Sequence, residues 1–272
     1  MSASTARIGA VICKELTEFR RNRLILSTAA MLPVLFLIAP TASILTVKVS
    51  ALGTGKGIDR SLFLPLIIPV LVPAIMSAYA VVGEREQGTL EPVLTTPIGQ
   101  IELIIGKAAA IFMPAVALGY LIFGVFFAIT QLAANSAVAA AVRHAPQLPA
   151  TLVFIPLLAA WGVWVGLAIS TIVTDTRVAQ QLSTLGSLPA VGVTALMSFQ
   201  VISPTFGLAA ALAGGLLAID CAACLVVARL FDRERLITGT RPSRGIPAPV
   251  TASAPPDIRS SVVGLQPQQE RD

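Results

Sequence analysis

Six apolar stretches, each about as long as a membrane-spanning helix, constrain the fold of this chain. They lie at residues 24–47, 61–83, 108–134, 151–173, 183–202 and 205–228. A helix needs about 20 mainly apolar residues to cross the hydrocarbon core of a bilayer. Only 12% of the 272 residues are charged, whereas a soluble domain carries about 25%. The sequence therefore predicts an all-α membrane protein with six transmembrane helices.

The distribution of Lys and Arg predicts which side of the membrane each connection faces. Five lie in the first 23 residues, seven in the tail from Arg229, and three in the second and fourth connections. With six spans these segments share one side and hold fifteen of the nineteen cations. We expect a prokaryotic plasma-membrane protein with both termini in the cytoplasm. The net charge of +5 then reflects topology and contact with membrane lipid, and it requires no nucleic-acid partner.

The chain divides into three predicted parts. Residues 1–23 form a cytoplasmic amphipathic helix at the membrane surface, residues 24–229 the six-span domain, and residues 230–272 a largely disordered, Pro-rich tail. Apolar residues recur at helical spacing in the first part, namely Ile8, Val11, Ile12, Leu16 and Phe19. The tail has too few apolar residues to bury a core.

The segment from Gly83 to Lys107 is the longest charged interruption between two apolar runs. It holds four carboxylates and two cations, namely Glu84, Glu86, Glu91, Glu102, Arg85 and Lys107. Gly88 is predicted to end the second helix, because glycine tolerates a left-handed conformation. Thr89 is predicted to cap a short helix, and Pro97 to start an interfacial helix that leads into the third span. A structured element at the membrane surface is a candidate docking site.

This segment resembles the signature of ABC-2 type transporter permeases. The resemblance lies in Glu84 to Glu91, Leu94, Thr96-Pro97, Glu102 and Gly106-Lys107, and the wider layout extends it over residues 7–235. In that family the loop between the second and third spans, here residues 84–107, carries a coupling helix on which the ATP-hydrolysing subunit docks. The resemblance implies a permease subunit of an ATP-driven exporter with a separate ABC ATPase. It also implies a homodimer or a pair of related permeases.

The resemblance assigns an ATPase-coupling role to nine residues of this segment. They are Glu84, Arg85, Glu86, Gly88, Thr89, Leu90, Glu91, Leu94 and Pro97. The three glutamates are expected to present charge to the partner, and Arg85 to pair with them or with it. The alternative is a solvated charged connection, which accounts for the first three residues but not for the whole pattern.

The chain shows no recognisable ATP site of its own. A phosphate-binding loop needs G-x-x-x-x-G-K-[ST], and residues 53–57 lack the first Gly and the hydroxyl residue. We therefore expect the partner subunit to bind ATP and this chain to need no cofactor. No group of residues resembles a metal site or a catalytic triad, which disfavours a lipid-modifying enzyme. Cys221 and Cys224 lie in an apolar span, so their spacing favours packing over redox chemistry.

Asp220 is the carboxylate that lies well inside a predicted span. A group at this depth is a candidate site for a cation, a cationic substrate or a proton, and the alternative is a protonated packing residue. The scarcity of charge in the spans favours export of a lipophilic or amphipathic compound, such as a drug, an antibiotic or a lipid. An ABC-type sodium exporter that uses Asp220 is the alternative function, and a passive channel or scaffold would need no ATPase.

Two patterns within the spans leave alternatives open. Pro65, Pro69 and Pro73 recur four residues apart, which predicts either a helix that moves during transport or a fixed, packed kink. Gly162 and Gly166 form a G-x-x-x-G, which allows close helix contact either within the subunit or between subunits.

Overall fold

The computed structural model describes residues 3–21, 23–48, 56–88, 98–199, 201 and 205–230, and the described residues are almost entirely helical with no strand among them. The helices are α1 (Ala3–Arg21), α2 (Arg23–Leu45), α3 (Lys56–Phe63), α4 (Ile67–Glu86), α5 (Gln100–Ala133), α6 (Ser136–Arg143), α7 (Leu148–Ile172), α8 (Thr176–Ser198) and α9 (Phe206–Leu230). A 3-10 turn at Leu64–Leu66 joins α3 to α4. The all-helical fold class is confirmed. The predicted tail lies, after its first residue, outside the described residues.

Four of the described helical segments are long and apolar enough to cross a membrane. They are Gly57–Glu86, Gln100–Ala133, Leu148–Ile172 and Phe206–Arg229, the second, third, fourth and sixth predicted spans. α2 contributes a shorter apolar helix, Met31–Leu45. α8 carries several hydroxyl side chains that lower its hydropathy. Because α2 is short in its apolar part and α8 is less apolar, the first and fifth spans stay predictions. The chain is a multi-pass membrane protein.

The third span and the interfacial helix before it form one continuous helix, α5. It begins at Gln100, and the side chain of Glu102 accepts a hydrogen bond from the Gly99 N–H at 3.0 Å. The start predicted at Pro97 is wrong, because Ile98 and Gly99 are not helical and Glu102 caps the later position. The 34 residues of α5 span ~51 Å, against a hydrocarbon core of ~30 Å. The charged first turns can therefore lie outside the core.

The closest packing in the bundle is between α4 and α7. A Cβ atom added at Gly166 would lie 2.6 Å from the carbonyl oxygen of Ala74, and one at Gly162 would lie 2.9 Å from Cγ of Pro73. These distances are shorter than carbon atoms tolerate, so only glycine fits at either position. The G-x-x-x-G therefore makes a contact within the subunit.

The three prolines of the second span are all buried. Pro65 lies in the 3-10 turn, whereas Pro69 and Pro73 lie in α4. Two turns beyond Pro73, the hydroxyl oxygen of Ser170 accepts a hydrogen bond from the Val81 N–H at 3.0 Å. Burial in so close a contact favours the fixed, packed kink.

The N-terminal helix α1 packs along α5. Val11 is buried, and a Cβ atom added at Gly106 would lie 2.6 Å from its Cγ1. The opposite side of α1 is exposed. The helix is therefore amphipathic, as predicted, and part of its apolar face contacts protein.

Candidate functional site

Charged side chains meet where α1, α4 and α5 come together. Lys107 Nζ lies 2.7 Å from Glu15 Oε1 and 2.9 Å from Glu84 Oε2, and it donates to the Ala80 carbonyl oxygen at 2.8 Å. The Lys107 side chain is fully buried, and those of Glu15 and Glu84 are 3% and 6% exposed. Lys14, Glu15, Glu84 and Lys107 are called the buried ion cluster below.

Lys14 completes the cluster from α1. Its ammonium donates to Glu84 Oε1 and lies 3.5 Å from Glu15 and 3.2 Å from Glu18. Burial lowers the pKa of Lys14, but the hydrogen bond and charge of Glu84, with the charges of Glu15 and Glu18, outweigh burial and raise that pKa. A raised pKa means that the stabilisation by this charge is present at neutral pH and is lost only under strongly alkaline conditions.

A second ion pair links α1 and α5. Arg7 Nη2 of α1 lies 3.2 Å from Glu102 Oε1 of α5. Glu102 also accepts the hydrogen bond from the Gly99 N–H that caps α5. The position of α1 is therefore fixed to the first turns of α5 at two places.

Arg85 and Glu86 hold the turn between α7 and α8. Arg85 Nη1 donates to the carbonyl oxygen of Val173, where α7 ends, at 2.9 Å. Glu86 Oε1 accepts from the N–H of Thr176, where α8 begins, at 2.9 Å. Asp175 accepts from the next two N–H groups of α8. These bonds satisfy backbone groups that helix ends leave without intrahelical partners.

The three consecutive residues Glu84, Arg85 and Glu86 therefore connect the end of α4 to four other helices. Glu84 reaches α1 and α5, and the other two reach α7 and α8. Hydrogen bonds to ionised groups are stronger and more directional than neutral ones. A displacement of this end of α4 must move the other helices with it or break these bonds.

Four of the nine predicted coupling residues lie in the described part of the chain. Gly88 has a φ of 68° directly after the end of α4, which confirms the prediction that it ends this helix. Glu86 is exposed, whereas Glu84 is buried. The expectation that Glu84 presents charge to a partner is not met in this structure, because Lys14 and Lys107 hold its carboxylate inside. The remaining five lie outside the described residues, namely Thr89, Leu90, Glu91, Leu94 and Pro97.

Sequence reasoning gave no role to Lys14, Glu15 or Lys107. The signal that could have found them is position. Lys107 stands at the start of an apolar run, and Glu15 lies beside the apolar face of α1. A charge in such a place must be paired when the helix packs, because burial of an unpaired charge is costly.

The comparison with protein families covers this junction and most of the chain. A family model described as ABC-2 family transporter protein matches residues 9–228. The chain belongs to this family. The matched range includes the whole buried ion cluster and all the described helices apart from the outermost residues of α1 and α9. This ABC-2 permease is thus a membrane transporter subunit, as the resemblance implied. No curated protein sequence gives a significant match to it.

Proposed function

We propose that this ABC-2 permease forms the translocation path of an ATP-driven exporter and that a separate ABC ATPase drives it. The ATPase docks on residues 84–107 at the cytoplasmic face. The observation that carries this proposal is the set of bonds from Glu84, Arg85 and Glu86 to four other helices. All of these bonds are made by the end of α4, so a motor that pushes on the segment after Gly88 acts on them directly.

The coupling residues then have two kinds of role. Glu84 is a positioning residue, because its carboxylate holds α1 and α5 through Lys14 and Lys107. Glu86 is exposed at the end of α4, within the proposed docking segment. When ATP closes the motor subunits, force on this surface passes through α4 to the helix pairs α1–α5 and α7–α8. Bonded helices move as units under such force, which switches the path between inward-facing and outward-facing states.

The proposed assembly contains two such subunits, either two copies or two related permeases, surrounded by membrane lipid. ATP is bound by the motor, so this chain needs no cofactor. The exported compound is lipophilic or amphipathic. The support for this substrate class is a cavity of about 250 Å³ among α7, α8 and α9, which is lined almost entirely by apolar side chains.

The test compares the wild-type permease with the double variant Arg85→Leu/Glu86→Gln, each co-expressed with the ABC ATPase that copurifies with the wild type. The wild-type protein and the double variant are each reconstituted into vesicles, and uptake of a fluorescent lipophilic dye is measured per ATP hydrolysed. We expect normal insertion and copurification, with transport per ATP lower by about fivefold or more. The reason is that α7 and α8 lose their bonds to α4.

Arg143→Leu is the matched control. Arg143 Nη2 donates to Gln131 Oε1 at 2.7 Å, and this exposed hydrogen bond lies at the far end of α5. Its loss should leave transport per ATP unchanged. Wild-type coupling in the double variant would contradict the role of the junction. Transport by the permease in the absence of any ATPase would contradict the exporter itself.

A further inference from the structure

Asp220 is a buried carboxylate within α9. Its residue is 5% exposed, and neither carboxylate oxygen has a hydrogen-bond partner among the described residues. An ionised carboxylate in an apolar environment is very unfavourable unless a cation accompanies it. Asp220 must therefore be neutral at rest or paired with a cation that the described chain does not supply.

The two helices that make the larger described contacts with α9 offer no free cation. α9 packs mainly on α7, which contains no charged residue at all. Its smaller contact is with α5, whose one cation, Lys107, is bonded to Glu15 and Glu84. On α9 itself, Arg229 follows nine residues later, about 13 Å along the helix. The partner of an ionised Asp220 has to come from outside these helices.

The apolar cavity among α7, α8 and α9 extends to the neighbours of Asp220 on its own helix. Ile219, the residue before Asp220, lines the cavity, and so does Leu216 one turn earlier. On the α7 side the cavity is lined by Trp161, whose Nε1 is also buried without a partner among the described residues. A tryptophan ring in the lining suits a positive charge, because the ring face attracts cations.

We propose that the cavity binds an amphipathic organic cation, with its apolar body among α7, α8 and α9 and its positive charge at Asp220. This proposal deepens the proposed function, on which it rests, by giving the exported compound a sign of charge. A bare metal ion fits less well, because hard cations require several oxygen ligands. Among the residues that line the cavity, Thr194 is the one with a side-chain oxygen.

The test uses two ions of nearly the same shape and opposite charge, tetraphenylphosphonium and tetraphenylborate. Each is titrated by equilibrium dialysis against the full-length permease in nanodiscs of zwitterionic lipid, and binding to empty nanodiscs is subtracted. Asp220→Asn keeps the size of the side chain and removes its charge. We expect this variant to bind tetraphenylphosphonium about tenfold more weakly or worse, and tetraphenylborate as the wild type does.

Leu216→Trp fills the cavity and provides the matched comparison. It should weaken the binding of both ions, whereas Asp220→Asn should weaken the binding of the cation alone. Equal elution volume and unfolding midpoint of the variants show that folding is unchanged. The binding assay needs no ATPase, so its outcome is independent of whether the coupling proposal holds.

Three results would overturn the proposal. One is the absence of tetraphenylphosphonium binding to the wild type, and another is unchanged binding to Asp220→Asn. The third is displacement of the organic cation by sodium chloride, but not by choline chloride at the same concentration. That result would assign Asp220 to an inorganic cation instead.

Discussion

At the scale of single residues, Lys107 depends on groups that come from two other helices. Its ammonium contacts Glu15 of α1 and Glu84 of α4, and nothing of it reaches the surface. Removal of one member of a buried ion pair leaves the other charged and unpaired, which is far more costly than removal of both. The cluster therefore ties the stability of the bundle to the position of α1.

The first prediction concerns the variant Lys107→Met. We expect it to lower the free energy of unfolding by ~3–5 kcal/mol, because Glu15 and Glu84 remain buried with Lys14 alone. The double variant Lys107→Met/Glu15→Gln should lose less than the sum of the two single variants, because it removes one charge of each sign. Denaturant unfolding in detergent micelles measures all three.

The control for this prediction is Glu18→Gln. Glu18 contacts the same Lys14 at 3.2 Å, but its side chain is 52% exposed. An exposed helix pair contributes about 0.5 kcal/mol or less, so this variant should unfold almost as the wild type does. A Lys107→Met variant as stable as Glu18→Gln would show that the cluster does not hold the helices together.

At the scale of elements, the contact between α4 and α7 depends on the absence of side chains. An alanine normally stabilises a helix by ~1 kcal/mol relative to glycine. We expect Gly166→Ala to do the opposite and to destabilise the protein by ~1–3 kcal/mol, because its Cβ would lie 2.6 Å from the Ala74 carbonyl oxygen. Thermal unfolding in detergent measures the effect.

Gly124→Ala is the matched control for this helix contact. Gly124 lies in α5, and a Cβ atom added there would meet nothing within 4 Å. The propensity of alanine should dominate at this position, so the variant should be as stable as the wild type or slightly more so. Stabilisation by both substitutions would mean that α4 and α7 do not pack this closely.

The ends of the helices show where the local sequence is enough to predict the structure. The end of α4 could be predicted, because the left-handed conformation there requires only the conformational freedom of Gly88 itself. The start of α5 could not be predicted in the same way. Thr96 and Pro97 form a valid start signal, but Gly99 and Glu102 form a competing one three residues later, and the structure uses the second. Glu102 also pairs with Arg7 of α1, a contact that the local sequence does not reveal.

At the scale of the whole molecule, orientation in the membrane is the prediction with the widest consequences. The proposed docking surface is accessible to an ATPase only if the cation-rich side is cytoplasmic. Cys13 of α1 is exposed and is predicted to lie on that side. With Cys221 and Cys224 replaced by Ser, we expect Cys13 to react with a membrane-impermeant maleimide in inside-out vesicles and not in intact cells.

A second reporter checks the opposite side. Ser136 is exposed at the start of α6, and Ser136→Cys in a chain that lacks the three native cysteines should give the reverse labelling pattern. Labelling of Cys13 in intact cells would invert the predicted topology and would remove residues 84–107 from reach of a cytoplasmic motor.

Sequence alone was enough to predict the class of protein, the four apolar helices that can cross a membrane, the amphipathic character of α1 and the family. All of these depend on properties that are local along the chain, such as the length of an apolar run or the spacing of a motif.

Which charges meet depends on the tertiary structure. Lys107 and Glu15 are 92 residues apart, and only the packing of α1 on α5 brings them together. Packing likewise turned Glu84 inward, set the G-x-x-x-G of α7 against α4 and buried Asp220. A pattern in sequence shows that a side chain is charged or small, whereas its role depends on which distant helix packs against it.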